Sequence, residues 1–203
     1  MLSPARRIWL LLAISAASLT LGSPFSAEAA PSARHTPTGF VFPATLGTFR
    51  RTEIINYNAS GTDKSAGYQG PAGVVTAYVY PARAPHSPSL PTHFAQCERE
   101  IRDHWSAVKV NSKGQTTITR HGQTYPGMQA SFSARHRGSK RRMASWLVVF
   151  KRGDHYVKFR YSTAPELAAQ GPAVLRSVLD QFSWPREKRR AAQSTIAAAG
   201  AMR

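Results

Sequence analysis

Four residues in the middle of the chain have the types and the spacing of a metal site: His93, Cys97, Glu100 and His104 recur at steps of four, three and four. On a helix this spacing gathers them into one narrow stripe, and an imidazole with a thiolate one turn away suits Zn or Cu. A further ligand would come from outside the helix, with His86 a candidate donor. The competing reading leaves His93 and His104 as solvated flank residues and pairs Glu100 with His104, because helical spacing produces such stripes by chance. A second set is cationic. Arg135, Arg137, Lys140, Arg141 and Arg142 fall within eight residues, and guanidinium groups hold phosphate or sulfate through paired hydrogen bonds. Arg50, Arg51 and Arg120 extend this patch if their strands are neighbours. The same run also has the composition of a solvated turn.

Catalytic chemistry finds little support. There is no Gly-x-Ser-x-Gly elbow, no Gly-rich phosphate loop between a strand and a helix, and few acids from which to build a carboxylate site. Cys97 lies at the edge of an apolar stripe and reads as a small buried hydrophobe. No catalytic residue and no cofactor is assigned. Arg152-Gly153-Asp154 spells an adhesion triplet, yet these residue types are also what a tight turn requires.

Charge and address narrow the class. Arg6 and Arg7 precede an apolar run from Ile8 to Leu21, and Ala27-Glu28-Ala29 follows, the pattern of a signal peptide cleaved after Ala29. The run is short for a membrane span, so the expectation is an exported protein, periplasmic or extracellular, with no transmembrane segment in the mature chain. Cleavage would leave 25 Lys and Arg against 9 Asp and Glu, a formal +16. Such an excess attracts anionic partners, a polymer or a lipid surface. Nucleic acid is disfavoured, since no recognition motif is present and export separates the protein from it. One Cys, Cys97, makes no intrachain disulfide, so stability must come from packing.

The elements that position these residues centre on Met143 to Ser162. Both faces of the first arm are apolar, with Ala144, Trp146, Val148 and Phe150 on one and Met143, Leu147 and Val149 on the other. In the second arm Val157, Phe159 and Tyr161 alternate with Lys158 and Arg160, the pattern of a strand with one wet face. Further strands are expected at Arg50–Asn58, Ser65–Gly70, Val74–Tyr80, Gln115–Arg120 and Met128–Arg135, with Pro126-Gly127 as an interruption before the last. Phe94, Cys97, Ile101, Trp105 and Val108 predict an amphipathic helix through 92–109, capped by Thr92. A second helix, opened by a Thr163/Glu166 capping box, runs to Phe182. The domain layout is then a signal peptide at 1–29, a disordered leader at 30–39, a single α+β domain at 40–185 and a basic tail at 186–203. The expected fold is an antiparallel sheet of about six or seven strands packed with two amphipathic helices, an α/β/α sandwich.

In Phe40 to Pro43, Leu46-Gly47, Tyr78-Val79-Tyr80 and a last helix ending in Phe182-Ser183-Trp184, the chain resembles the PsbP/DcrB-like superfamily of exported α/β/α sandwich domains. The resemblance covers about Phe40 to Pro185 and rests on packing motifs. It implies a non-catalytic accessory or binding domain and carries no functional residue with it. The leading expectation is thus an exported accessory or ligand-binding domain that uses a basic surface for an anionic envelope component. The alternative is a small Zn- or Cu-binding protein built on the first helix.

Overall fold

A computed structural model describes residues 33–82 and 88–186. The expected signal peptide, His86 and nearly all of the basic tail lie outside these residues. In chain order the elements are β1 (Ala33–His35), β2 (Phe40–Phe42), β3 (Thr45–Leu46), β4 (Phe49–Asn56), β5 (Lys64–Gly70), β6 (Gly73–Pro81), α1 (Leu90–His104), β7 (Trp105–Arg120), β8 (Gln123–His136), β9 (Arg142–Arg152), β10 (His155–Thr163), a 3-10 turn (Pro165–Gln170) and α2 (Gly171–Gln181). Eight strands form one antiparallel sheet in the order β3-β4-β5-β6-β10-β9-β8-β7, and β1 and β2 form a separate pair. The class is α+β, with more strands than the six or seven expected.

The Met143–Ser162 hairpin does lie in the middle of the sheet, and its first arm is covered on both sides. Val148 and Phe150 join a core with Phe40, Leu175, Val178 and Phe182, while Leu147 and Val149 join another with Phe94, Cys97 and Ile101. Because neighbouring strand residues point to opposite faces, α2 covers one face of the sheet and α1 the other. Each large apolar side chain buried this way contributes about 1.5–3 kcal/mol. Gly153 takes a φ of 55° in the two-residue turn between β9 and β10, which glycine adopts without steric cost.

Several expectations are corrected by packing. The first helix stops at His104 rather than Lys109, and Trp105 caps it while opening β7. A bulge between Ser106 and Lys109, with Ala107 at φ 49°, shifts the strand register. Trp105 and Val108 therefore pack on the same core as the helix and imitate its period. The N-cap is Ser89, whose hydroxyl accepts the Thr92 amide at 3.3 Å. No Thr163/Glu166 capping box forms: the chain makes the 3-10 turn first, and α2 begins at Gly171-Pro172, where a prolyl nitrogen costs no hydrogen bond. The Pro126-Gly127 pair does not interrupt its strand. Pairing of β8 with β9 begins only at Gly127, so Pro126 sits where β8 has β7 alone as a neighbour and its missing N–H disturbs little.

Order also starts earlier than the expected leader allowed. Ala33–His35 pairs with Phe40–Phe42, and His35 is fully buried. Its Nε2 donates to the Thr62 carbonyl at 3.0 Å, and its Nδ1 meets the Thr38 hydroxyl at 2.6 Å. A neutral ring satisfies both contacts. Most unexpected is β10, whose supposed wet face lies in the α1 layer: Lys158 is 3% exposed and Arg160 half-buried.

Candidate anion-binding surface

The cationic run is built by the end of the β8–β9 hairpin. Arg135 and Arg142 are the terminal residues of the ladder and stand directly opposite each other. Five residues connect the two strands. Their path is set by His136, whose amide donates to the Arg141 carbonyl at 2.9 Å and whose carbonyl accepts the Lys140 amide at 2.9 Å. The Ser139 amide donates to His136 Nδ1 at 3.1 Å. Lys140 takes a left-handed φ of 57°, a conformation an L-residue adopts at a cost of roughly 1–2 kcal/mol. Arg137 reaches sideways to the last turn of α1 and donates to the Arg102 carbonyl at 3.1 Å. Cations are favoured at that end of a helix, where carbonyls lack intrahelical donors.

All five cations, Arg135, Arg137, Lys140, Arg141 and Arg142, are exposed, and among the described residues none of them forms an ion pair. Like charges directly opposite on a ladder destabilise it, so the Arg135/Arg142 pair works against folding. Chemically the arrangement can hold a multivalent anion, because several guanidinium groups converge on one end of the molecule. The proposed extension of the patch does not form. Between β4, which bears Arg50 and Arg51, and β9 lie β5, β6 and β10. Arg51 is turned to the Phe42 carbonyl, while Arg120, at the far end of β7, binds Asp180 at 2.6 Å and the Leu179 carbonyl at 3.0 Å.

The residues of the metal stripe share α1 but not a destination. His93 and Cys97 come together, with Nε2 3.7 Å from Sγ, and the Tyr80 hydroxyl lies 2.7 Å from the same Nε2. Stacking on Tyr156 at 3.9 Å fixes the His93 ring. Glu100 points away toward Lys158, at 3.5 Å, and His104 donates to the Glu100 carbonyl of its own helix. Among the described residues no group of three or more His, Cys, Asp or Glu is placed to hold a metal ion. Glu98, on the same helix, is buried and paired with Lys113. The Arg-Gly-Asp triplet is not displayed as a unit either. Arg152 folds back over the Phe40 ring at 4.9 Å and donates to the Pro185 carbonyl at 3.0 Å.

Sequence reasoning missed Lys158 and Arg160. The ammonium of Lys158 lies 4.4 Å from the Tyr78 ring, and the guanidinium of Arg160 lies 5.0 Å from Trp105. Their signal was present in weak form: both alternate with core residues in a central strand, with Lys158 opposite Tyr78 and Arg160 opposite Thr76 of β6.

No family model matches the chain, and no curated protein matches it in sequence. The chain is similar in structure to a cyanobacterial PsbP. For CyanoP from Synechocystis sp. PCC 6803 the TM-score is 0.46 at 12% identity, over 81% of this chain and 99% of that one. A Pseudomonas aeruginosa protein of unknown function, PA94, aligns with a TM-score of 0.43 at 14% identity, over 78% of this chain and 98% of that one. Among the described residues no helix is long and apolar enough to cross a membrane.

Proposed function

We propose that the protein is an exported, non-enzymatic accessory or ligand-binding domain of the cell envelope, and that the β8–β9 end holds an anionic partner. The observation that carries this reading is the set of five exposed cations, which among the described residues form no ion pair and two of which are opposed on the ladder. A surface that served only solubility would interleave acids among them. The turn itself, Arg137-Gly138-Ser139-Lys140-Arg141, has no apolar side chain to insert between lipids, which favours an anionic polymer over a bilayer. The signal-like N-terminus and the formal +16 expected of the mature chain agree with such a partner. The test compares polyphosphate, a sulfated polysaccharide and phosphatidylglycerol vesicles as probes of the mature chain. Polymer binding that drops when Arg137, Lys140 and Arg141 are changed together to Ser supports the reading; unchanged binding by that variant contradicts it.

The contact of His93 with Cys97 favours a second reading, uptake of a soft cation. Two donors, one of them a thiol, suit Cu(I) better than Zn, which takes at least three protein ligands in its common sites. Competition against a Cu(I) chelator decides it: binding lost in Cys97→Ser supports the site, and no withdrawal of Cu(I) from the chelator removes it.

A further inference from the structure

The eight-stranded sheet ends on two unlike edges. β3, at one end, is two residues long, whereas β7, at the other, runs for 16 residues, and among the described residues no strand lies beyond it. An open edge is a row of backbone N–H and C=O groups with which another chain can pair, and proteins commonly guard it with bulges, prolines or lysines. The first part of β7 is guarded in this way: its register shifts between Ser106 and Lys109 and again between Val110 and Ser112. From Ser112 to Arg120 the ladder with β8 is unbroken. That stretch of β7 has no proline, and Thr116 to Thr119 are four β-branched residues in a row, which favour an extended chain. Its two cations are drawn off the edge, Lys113 to Glu98 of α1 at 2.5 Å and Arg120 to Asp180 of α2 at 2.6 Å.

The hairpin turn fixes which groups point outward. His121 and Gly122 both have positive φ, 52° and 77°, the mark of a type I′ turn. Such a turn is closed by a hydrogen-bonded pair, here Arg120 and Gln123, and hydrogen-bonded and non-hydrogen-bonded pairs alternate along an antiparallel ladder. Counting back in twos, Ile118 and Thr116 bond to β8, while Thr119, Thr117 and Gln115 turn their backbone groups away from the sheet. Pro126 stands opposite Thr117, a position that needs no N–H toward β7. The Thr119 carbonyl accepts Arg120 Nη1 at 2.8 Å, in keeping with an outward group.

The surroundings select the partner. No Asp or Glu occurs between Asp103 and Asp154, a stretch that holds β7, β8 and β9 together with ten Lys and Arg. A second copy would set this acid-free strand against itself, and like charges facing across a ladder destabilise it. Polyphosphate and polysaccharides lack the regular N–H and C=O groups that a ladder needs. We propose that β7 takes up an extended acidic segment of another protein as a further, antiparallel strand, with Gln115, Thr117 and Thr119 bonding its backbone and Lys109 and Arg135 receiving its acids. Both cations are exposed, and among the described residues neither forms an ion pair. The edge meets the cationic turn at Trp105, which pairs with His136, but it does not rest on the reading given to that turn.

The experiment titrates the mature full chain with a synthetic peptide of alternating Thr and Val closed at its C-terminal end by three Glu, read by calorimetry and by hydrogen exchange of backbone amides. The expected result is one saturable site, at least tenfold slower exchange at Gln115, Thr117 and Thr119, and at least tenfold weaker binding by Thr117→Pro, whose missing N–H faces away from β8. Of two peptides N-methylated at alternate residues in opposite phase, one binds and the other does not. Replacing the three Glu by Gln weakens binding at least threefold at low salt. The Arg137/Lys140/Arg141→Ser variant binds the peptide within threefold of the parent, so failure here and failure of the polymer reading are told apart. Absence of saturation, like behaviour of the two methylated peptides, equal binding of the Gln peptide, or equal binding by Thr117→Pro each overturn the proposal. So does slow exchange of the three amides in the protein alone, whether it grows with concentration, as for a second copy, or is independent of it, as for a segment of the same chain. Should Thr117→Pro lose its circular dichroism signature, the methylated peptides decide on the parent protein.

Discussion

Acid should loosen the N-terminal strand pair through His35. This residue is fully buried, its neutral ring satisfies the Thr62 carbonyl and the Thr38 hydroxyl, and His155 lies 5.6 Å away, ring to ring. Burial, first of all, holds its pKa below the usual 6.5; His155 and Lys64 push the same way, against the Thr62 hydrogen bond. The folded state therefore binds the proton less readily than the unfolded chain. The stability that neutral His35 confers is complete above pH 6.5 and is lost as pH falls from there toward the folded-state pKa. One proton limits the slope to about 1.4 kcal/mol per pH unit, or roughly 3–6 °C in Tm per unit for a domain of this size. The assay is thermal melting from pH 8 to pH 5 for the parent protein and for His35→Gln. The difference between the two curves isolates His35, because the carboxylates titrate in both. His35→Gln is expected to start less stable at pH 8, since a buried hydrogen-bond pair is worth about 1–3 kcal/mol when broken, and to converge on the parent in acid. Parallel curves would refute the reasoning.

Gly73→Ala should lower stability by more than about 1–3 kcal/mol, because Gly73 has φ 128° and an added Cβ would lie 2.3 Å from the Ser162 carbonyl oxygen; an unchanged urea midpoint contradicts the geometry. Arg142→Thr removes one of the opposed cations, so it should raise stability by about 0.2–1 kcal/mol while weakening polyanion binding; a variant that binds better or melts earlier goes against the surface described here. Cys97 is 2% exposed, so a thiol reagent should label it only after unfolding, with immediate labelling of native protein as the contrary result.

The layout that periodicity can report was legible. The two-faced apolar arm of β9, the amphipathic start of α1 and the aromatic sequence around Phe182 all point to their true layers. What stayed hidden depends on partners distant in sequence. Lys158 reads as a wet residue because Glu100, 58 positions away, and the Tyr78 ring become its surroundings only once α1 docks. The end of α1 was obscured by a bulge, since Ala107 restores a helix-like spacing to Trp105 and Val108 in a strand. His35 gave no apolar signal, although its strand is ordered by Phe40 and Phe42 across a turn. For the candidate site, the cationic run was readable as composition, whereas its separation from Arg50 and Arg51 follows from strand order and that from Arg120 from its place at the far end of β7.

The most direct measurement of the account is the salt dependence of polyphosphate binding by the parent and by the Arg137/Lys140/Arg141→Ser variant. If the five cations each displace a counterion, the slope of log K against log salt is about −3.5, a loss of about a hundredfold between roughly 50 and 200 mM salt. The variant's slope is expected to be shallower by about two units. Equal slopes for the two proteins, or a parent slope near zero, would contradict it.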